Sequence, residues 1–303
     1  MNIWRRTSMP KSTQNLLKFC GPTEYSFRNL EGGVIYCQHY SAYNDPFEFW
    51  SNIYEGVPDA EREPERFLAA LRAWGMEGCS PQDEDLIAYF DECKDYQPPF
   101  QEMRDEACIA CFGSQRDNLL MWSHYADGLR GFCIVFDENL VTKAEPEGYV
   151  VDVAYIDAPP TLDSFVYAIA RDQDWYHQMA IEETETRIQH LGKTDEMSWI
   201  PIYEQAGAEA LRQMQEIWQL VFAAKPTEWK YEGERRLLVQ SPRSDTAPIL
   251  RPYPREAIKE VILGERMSEH YRVKILSVMK KHYPGVPVKT ARRAEGIYTL
   301  VIE

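Results

Sequence analysis

Residues 107–137, ACIACFGSQRDNLLMWSHYADGLRGFCIVFD, run from an apolar segment through a polar loop and an amphipathic stretch into a second apolar segment. ACIACF (107–112) and GFCIVFD (131–137) have strand length, too short for stable helices. Between them, DNLLMWSHYADG (117–128) predicts a helix. Leu120 and His124 lie one turn apart, as do Met121 and Tyr125, while Asn118, Trp122 and Tyr125 share the adjacent stripe.

Short strands recur outward from this block. LLKF (16–19) and VIYCQ (34–38) precede it, with a break at Gly21-Pro22 and a turn at Gly32-Gly33. YVVDVAYI (149–156), WKYEGERRLLVQ (229–240), IKEVILG (258–264), PVKTARR (287–293) and IYTLVIE (297–303) follow it. Helices are expected over 163–191 and 203–224, and over 268–285 between Ser268 and Gly285 as caps. An acidic helical pair fills 59–106. AEREPERFLAALRAW puts Phe67, Leu68, Leu71 and Trp74 on one face, and SPQDEDLIAYFDECKDY opens with Ser80 as N-cap and Pro81 behind it. Short, interspersed strands favour an α+β fold: a mixed, mainly antiparallel sheet core with a helical insertion and flanking helices. The division expected is a polar lead-in over 1–15 and one domain over 16–303, with 59–106 as the insertion.

Composition narrows the function. Forty-eight acidic against 33 basic residues give a net charge of −15, which opposes non-specific nucleic-acid binding through phosphate neutralisation. A local cationic pocket for a small anion is compatible with that total. No apolar run reaches the ~18–20 residues of a membrane span, and MNIWRRTSMPKSTQN lacks the apolar core of a secretory signal. Seven cysteines, an odd number, fit reduced thiols and a cytoplasmic location. Cys108 and Cys111 form a C-x-x-C inside an apolar strand, where burial outweighs metal binding. The six histidines show no H-x-x-x-H or H-x-H, and no metal is expected. Neither G-x-G-x-x-G nor a P-loop occurs.

Three clusters carry the candidate chemistry. In the first, Tyr36 leaves a strand and Tyr43, Asn44 and Asp45 follow in a polar turn, an arrangement suited to stacking and hydrogen-bonding a flat ligand or simply to ending a strand. The second is the 118–125 helix, where His124 is the acid–base candidate beside Trp122 and Tyr125; a hydrogen-bonded core histidine has the same surroundings. The third is WKYEGERRLLV. Read as a strand, it puts Glu232, Glu234 and Arg236 on one face, the carboxylates about 7 Å apart, and Arg235 and Leu237 on the other. Those charges serve a charge-developing reaction or an ion-paired edge.

Together LLKF, YNDPFE, CFGSQRDNLLMWSHYADGLRGFCIVF and KPTEWKYEGERRLLV resemble the bacterial family known as domain of unknown function 2971, over roughly residues 16–265. GGVIYCQHYSAYNDPFE and YEGERRLLV are also similar to the ADP-ribosyltransferase-like fold, in which a strand ending in an aromatic leads to a loop with a second aromatic, and a late strand opens on a glutamate. That resemblance implies NAD as co-substrate and cleavage of its nicotinamide–ribose bond, in the setting of a toxin or phage-defence effector with a protein partner or a small-molecule nucleotide. It implies Glu234 as the carboxylate with Glu232 beside it, Tyr36 and Tyr43 as stacking rings, and Arg235 or Arg236 on phosphate. Such folds open with Arg or His on the first core strand; here Lys18 stands there, a point charge without a guanidinium fork. The alternative is a non-enzymatic module binding a ligand or protein.

Overall fold

The structure, a computed structural model, describes residues 15–144, 148–241 and 245–303. The expected lead-in therefore lies outside the described residues except for Asn15. The sequence reads as one domain from residue 16; contacts divide the chain into two compact units. The first comprises the residues up to Glu48, 102–157 and 225–303; the second comprises 49–101 and 158–224.

Two five-stranded sheets form the first unit. One contains β1 (Asn15–Cys20), β5 (Phe132–Asp137), β12 (Ile258–Gly264), β13 (Val288–Arg293) and β14 (Leu300–Ile302) in that order. Only β12 and β13 are parallel; the other neighbours run antiparallel. The second sheet, in the order β11 (Ile249–Pro252), β2 (Val34–His39), β4 (Ala107–Phe112), β10 (Arg235–Gln240) and β6 (Gly148–Asp152), is antiparallel throughout. The fold is α+β with a mainly antiparallel core, as the strand pattern predicts.

Strand alternation explains why FCIVFD is apolar without a break. Phe132, Ile134 and Phe136 enter a core shared with Cys108, Ala110 and Phe112 of β4 and Leu237 and Val239 of β10. Cys133 and Val135 face a second core with Met121 and Trp122 of helix α5 (Leu119–His124). A strand covered on both faces loses its polar half. Helices α1 (Glu24–Gly32) and α9 (Glu269–His282) close the larger core through Leu30, Tyr271, Ile275, Val278 and Met279. Short α4 (Phe100–Asp105) precedes β4, and α6 (Glu138–Thr142) follows β5.

The second unit pairs β3 (Asn52–Tyr54) with β8 (Thr161–Asp163) in parallel and adds α2 (Pro64–Trp74), α3 (Glu84–Cys93), α7 (Ser164–Leu191) and α8 (Ile200–Phe222). Asp163 caps α7 and binds Arg66 of α2 at 2.6 Å. Trp74 stacks on Tyr89, whose hydroxyl donates to Asp172. Among the described residues no helix is long and apolar enough to cross a membrane.

Several local expectations are corrected. Residues 24–32 form a helix capped by Thr23, where only a break and a turn are expected. Asp83, not Ser80, caps α3, because its carboxylate reaches the amides of Asp85 and Leu86. Leu68 and Leu120 are exposed, Ala70 and Ala73 filling the buried side of α2 instead. YVVDVAYI breaks at Val153, whose amide turns to the Glu234 carbonyl, leaving β7 (Ala154–Ile156) separate. Tyr283 ends α9, with Gly285 beyond it. Residues 227–232 are a 3-10 turn and not the entry of a strand.

Candidate functional site

β2 pairs with β4 only through Gln38 and His39, then diverges to pair with β11. The edge of β4 that it leaves presents three carbonyls two residues apart. The Tyr43 hydroxyl donates to Ile109 O at 2.8 Å, Lys18 Nζ to Cys111 O at 2.9 Å, and the Leu17 amide to Gly113 O at 3.2 Å. These bonds satisfy otherwise unpaired backbone groups and hold β1 and the 43–48 turn beside β4. The gap so opened is a cleft of about 310 Å³, lined by Lys18, Tyr36, Tyr43, Asn44, Tyr125 and Cys111 together with Lys225, Glu232 and Glu234.

The carboxylates reach the cleft because Gly233 has φ +51°, reversing the chain between the turn and β10. A Cβ there would meet the Ser114 hydroxyl, so both the conformation and the space call for glycine. Glu232 and Glu234 then close on Lys225 of β9 (Ala224–Pro226), at 2.7 and 2.8 Å from its ammonium. Arg236 binds Glu234 at 3.0 Å and takes Glu48 through both terminal nitrogens, at 2.6 and 3.0 Å. The Tyr125 hydroxyl donates to Glu232, and the Tyr155 hydroxyl accepts from the Glu234 amide at 2.7 Å. The Asn118 amide group, itself the cap of α5, donates to the Tyr231 carbonyl and ties helix to turn.

These charges are buried: Arg236 is 0% exposed, Glu232 3% and Glu234 4%. Desolvating ions costs several kcal/mol each and is offset only by close partners. Burial works to raise the Glu234 carboxyl, yet Arg236 and Lys225 outweigh it and hold the group at about 2. Glu48 goes the other way, burial lifting it against the pull of Arg236. Burial disfavours the Lys225 ammonium, but Glu234 and Glu232 raise it above the ordinary lysine value. Tyr125 is pushed up by burial and by its bond to Glu232, so at neutral pH it is a donor. The cleft lining itself sets Glu232 and Glu234 against Lys225 and Lys18, with Glu48 and Arg236 paired behind it.

Of the residues singled out in the sequence, Lys18, Tyr36, Tyr43, Asn44, Tyr125, Glu232 and Glu234 meet at this cleft. Asp45, Trp122, His124, Arg235 and Arg236 do not line it. Asp45 accepts from the Phe47 amide at 2.9 Å and shapes the turn. Trp122 is wholly buried, its indole donating to Arg116 O. His124 is exposed, its ring 6.0 Å from Tyr231. Arg235 turns to the opposite face of β10 and is taken up by Glu138 and Asp152, both at 2.6 Å. Arg236 is committed to the carboxylates of Glu48 and Glu234. Cys108 and Cys111, three apart on a strand, face opposite sides: the first joins the core, and the second donates to the Tyr43 hydroxyl.

Lys225 and Glu48 stand within the clusters read from the sequence but receive no role there. Glu48 closes YNDPFE and Lys225 opens KPTEW, but no spacing signals that Arg236 and the glutamates gather them.

A family profile described as Protein of unknown function (DUF2971) matches residues 121–237. That stretch holds α5 from Met121 on, Lys225, both glutamates and Arg236, whereas LLKF and YNDPFE lie outside it. No curated protein and no solved structure matches the chain.

Proposed function

We propose that this DUF2971 family member cleaves the nicotinamide–ribose bond of NAD in the 310 Å³ cleft, passing ADP-ribose to water or to an acceptor. The observation that carries the reading is the meeting of Lys18, Tyr36, Tyr43 and the buried carboxylates of Glu232 and Glu234 in one cleft.

The chemistry asks for that arrangement. When the bond between the ribose C1′ and the pyridinium nitrogen breaks, both electrons leave with the ring, which departs neutral. The positive charge passes to the ribose as an oxocarbenium ion, as in glycoside cleavage. Fixed carboxylates in a low-dielectric cleft favour that state over the ground state. Tyr36 and Tyr43 supply flat faces for the ring, and Lys18, which has no carboxylate partner among the described residues, takes the phosphate. Water or an acceptor hydroxyl adds to C1′ and releases its proton to solvent. His124 has no part in this reading. A cytoplasmic effector that draws on the NAD pool fits such an activity.

Purified protein should release nicotinamide from NAD, and Glu234→Gln should lower that release by about a hundredfold or more. Full release by Glu234→Gln removes the carboxylate from the reaction.

A second reading has its own support. Glu234 already engages Arg236 and Lys225, so a substrate hydroxyl would have to share it, whereas a ligand that does not react needs only the aromatic and polar lining. A binding module of that kind would show ligand-dependent thermal stabilisation without nicotinamide release.

A further inference from the structure

A second, larger cleft of about 810 Å³ shares Lys18, Phe19 and Tyr36 with the first. It lies where β2 has left β4, with α1 and β11 as its other walls. Its floor is the apolar core at Leu30, Ile35, Ile134 and Phe136, and its rim carries Tyr25, Arg28 and Leu250. Among the described residues no carboxylate lines it, in a chain with 15 more acidic than basic residues, although Glu24 pairs with Arg28 at 3.4 Å. At the wall common to both clefts, Lys18 gives one hydrogen bond to Cys111 O and, among the described residues, has no carboxylate partner. An ammonium has three donors, so two remain for a ligand. Lys225 and Arg236, by contrast, are each held by two carboxylates.

From this we infer that the larger cleft binds a nucleotide: its phosphate at Lys18 and Arg28, its base between Tyr36 and the apolar floor. At Lys18 an anion meets no competing carboxylate among the described residues, while at the exposed rim it exchanges for the surface pair of Arg28 with Glu24; a base needs a flat or apolar surface. The volume falls within the ~300–1,000 Å³ of small-molecule sites. The nucleotide is either one half of a dinucleotide whose other half occupies the first cleft, or a separate mononucleotide. The inference concerns binding and stands apart from NAD turnover.

Calorimetric titration of the full chain with AMP and GMP tests it. At least one should saturate, with the matching nucleoside about tenfold weaker or worse. Arg28 and Leu250 are exposed (71% for the Arg28 side chain, 57% for Leu250), so Arg28→Glu and Leu250→Glu should fold normally. Each should weaken the nucleotide about tenfold with the unfolding temperature unchanged. Prior saturation of Glu234→Gln with NAD separates the sources: exclusion of the mononucleotide means the dinucleotide occupies both clefts, and undiminished binding means a separate ligand. Failure of both nucleotides to bind, or unchanged affinity in both variants, overturns the inference. Nucleotide binding without nicotinamide release keeps it and removes the NAD reading instead.

Discussion

The ammonium of Lys225 lies 2.8 Å from Glu234, and both side chains are buried. The same ammonium holds Glu232, so its loss leaves two carboxylates in the interior without their shared cation. Lys225→Met should cost about 3–5 kcal/mol in urea denaturation. The double variant Lys225→Met/Glu234→Gln should recover part of that cost, and strict additivity in the cycle would mean that the two groups are not coupled.

Acid stability should carry the mark of Glu234. Its folded value of about 2 lies below the ordinary 4.5, so the unfolded chain takes up the proton first as pH falls. The stabilisation is complete above about pH 4.5 and is lost as pH falls through about 2. Denaturation series across that window should show a shallower pH slope for Glu234→Gln than for the parent chain. Any pH limb in nicotinamide release between pH 5 and 9 must come from a different group.

Tyr125→Phe keeps the ring and removes the donor to Glu232. A buried carboxylate oxygen without its partner costs about 1–3 kcal/mol. Thermal unfolding should report that loss, and nicotinamide release should drop as Glu232 loses its position. An unchanged unfolding temperature would show that water replaces the phenol.

Gly233→Ala tests how the two glutamates are brought together. An alanine at φ +51° costs about 1–2 kcal/mol, and its methyl must displace the Ser114 hydroxyl. Lower stability together with loss of nicotinamide release is expected. Stability loss with full release would detach the turn from the chemistry.

Neighbours on α5 should behave in opposite ways. Trp122→Ala opens the core beside Phe19 and should cost about 3–5 kcal/mol. His124→Ala, at an exposed position, should stay within about 0.5 kcal/mol and leave nicotinamide release intact. Loss of release in His124→Ala would restore the histidine to the reaction.

The amino-acid sequence by itself determined the elements whose signal is local. Continuous apolar runs marked β4 and β5, and spacing by turns marked α7, α8 and α9, because burial on both faces of a strand or one face of a helix leaves a pattern along the chain. It also marked Lys18, Tyr36, Tyr43, Asn44, Tyr125, Glu232 and Glu234, which meet at the cleft. It misread 227–232, since Trp229 and Tyr231 alternating with Lys230 and Glu232 imitate a strand, and only the left-handed Gly233 ends the turn. Tertiary structure alone decided that Arg236 is consumed by Glu48, 188 residues away, that Arg235 faces Glu138, and that Lys18 keeps donors to spare. Ion pairing depends on distance in space, and no spacing along a chain records which strands will lie side by side.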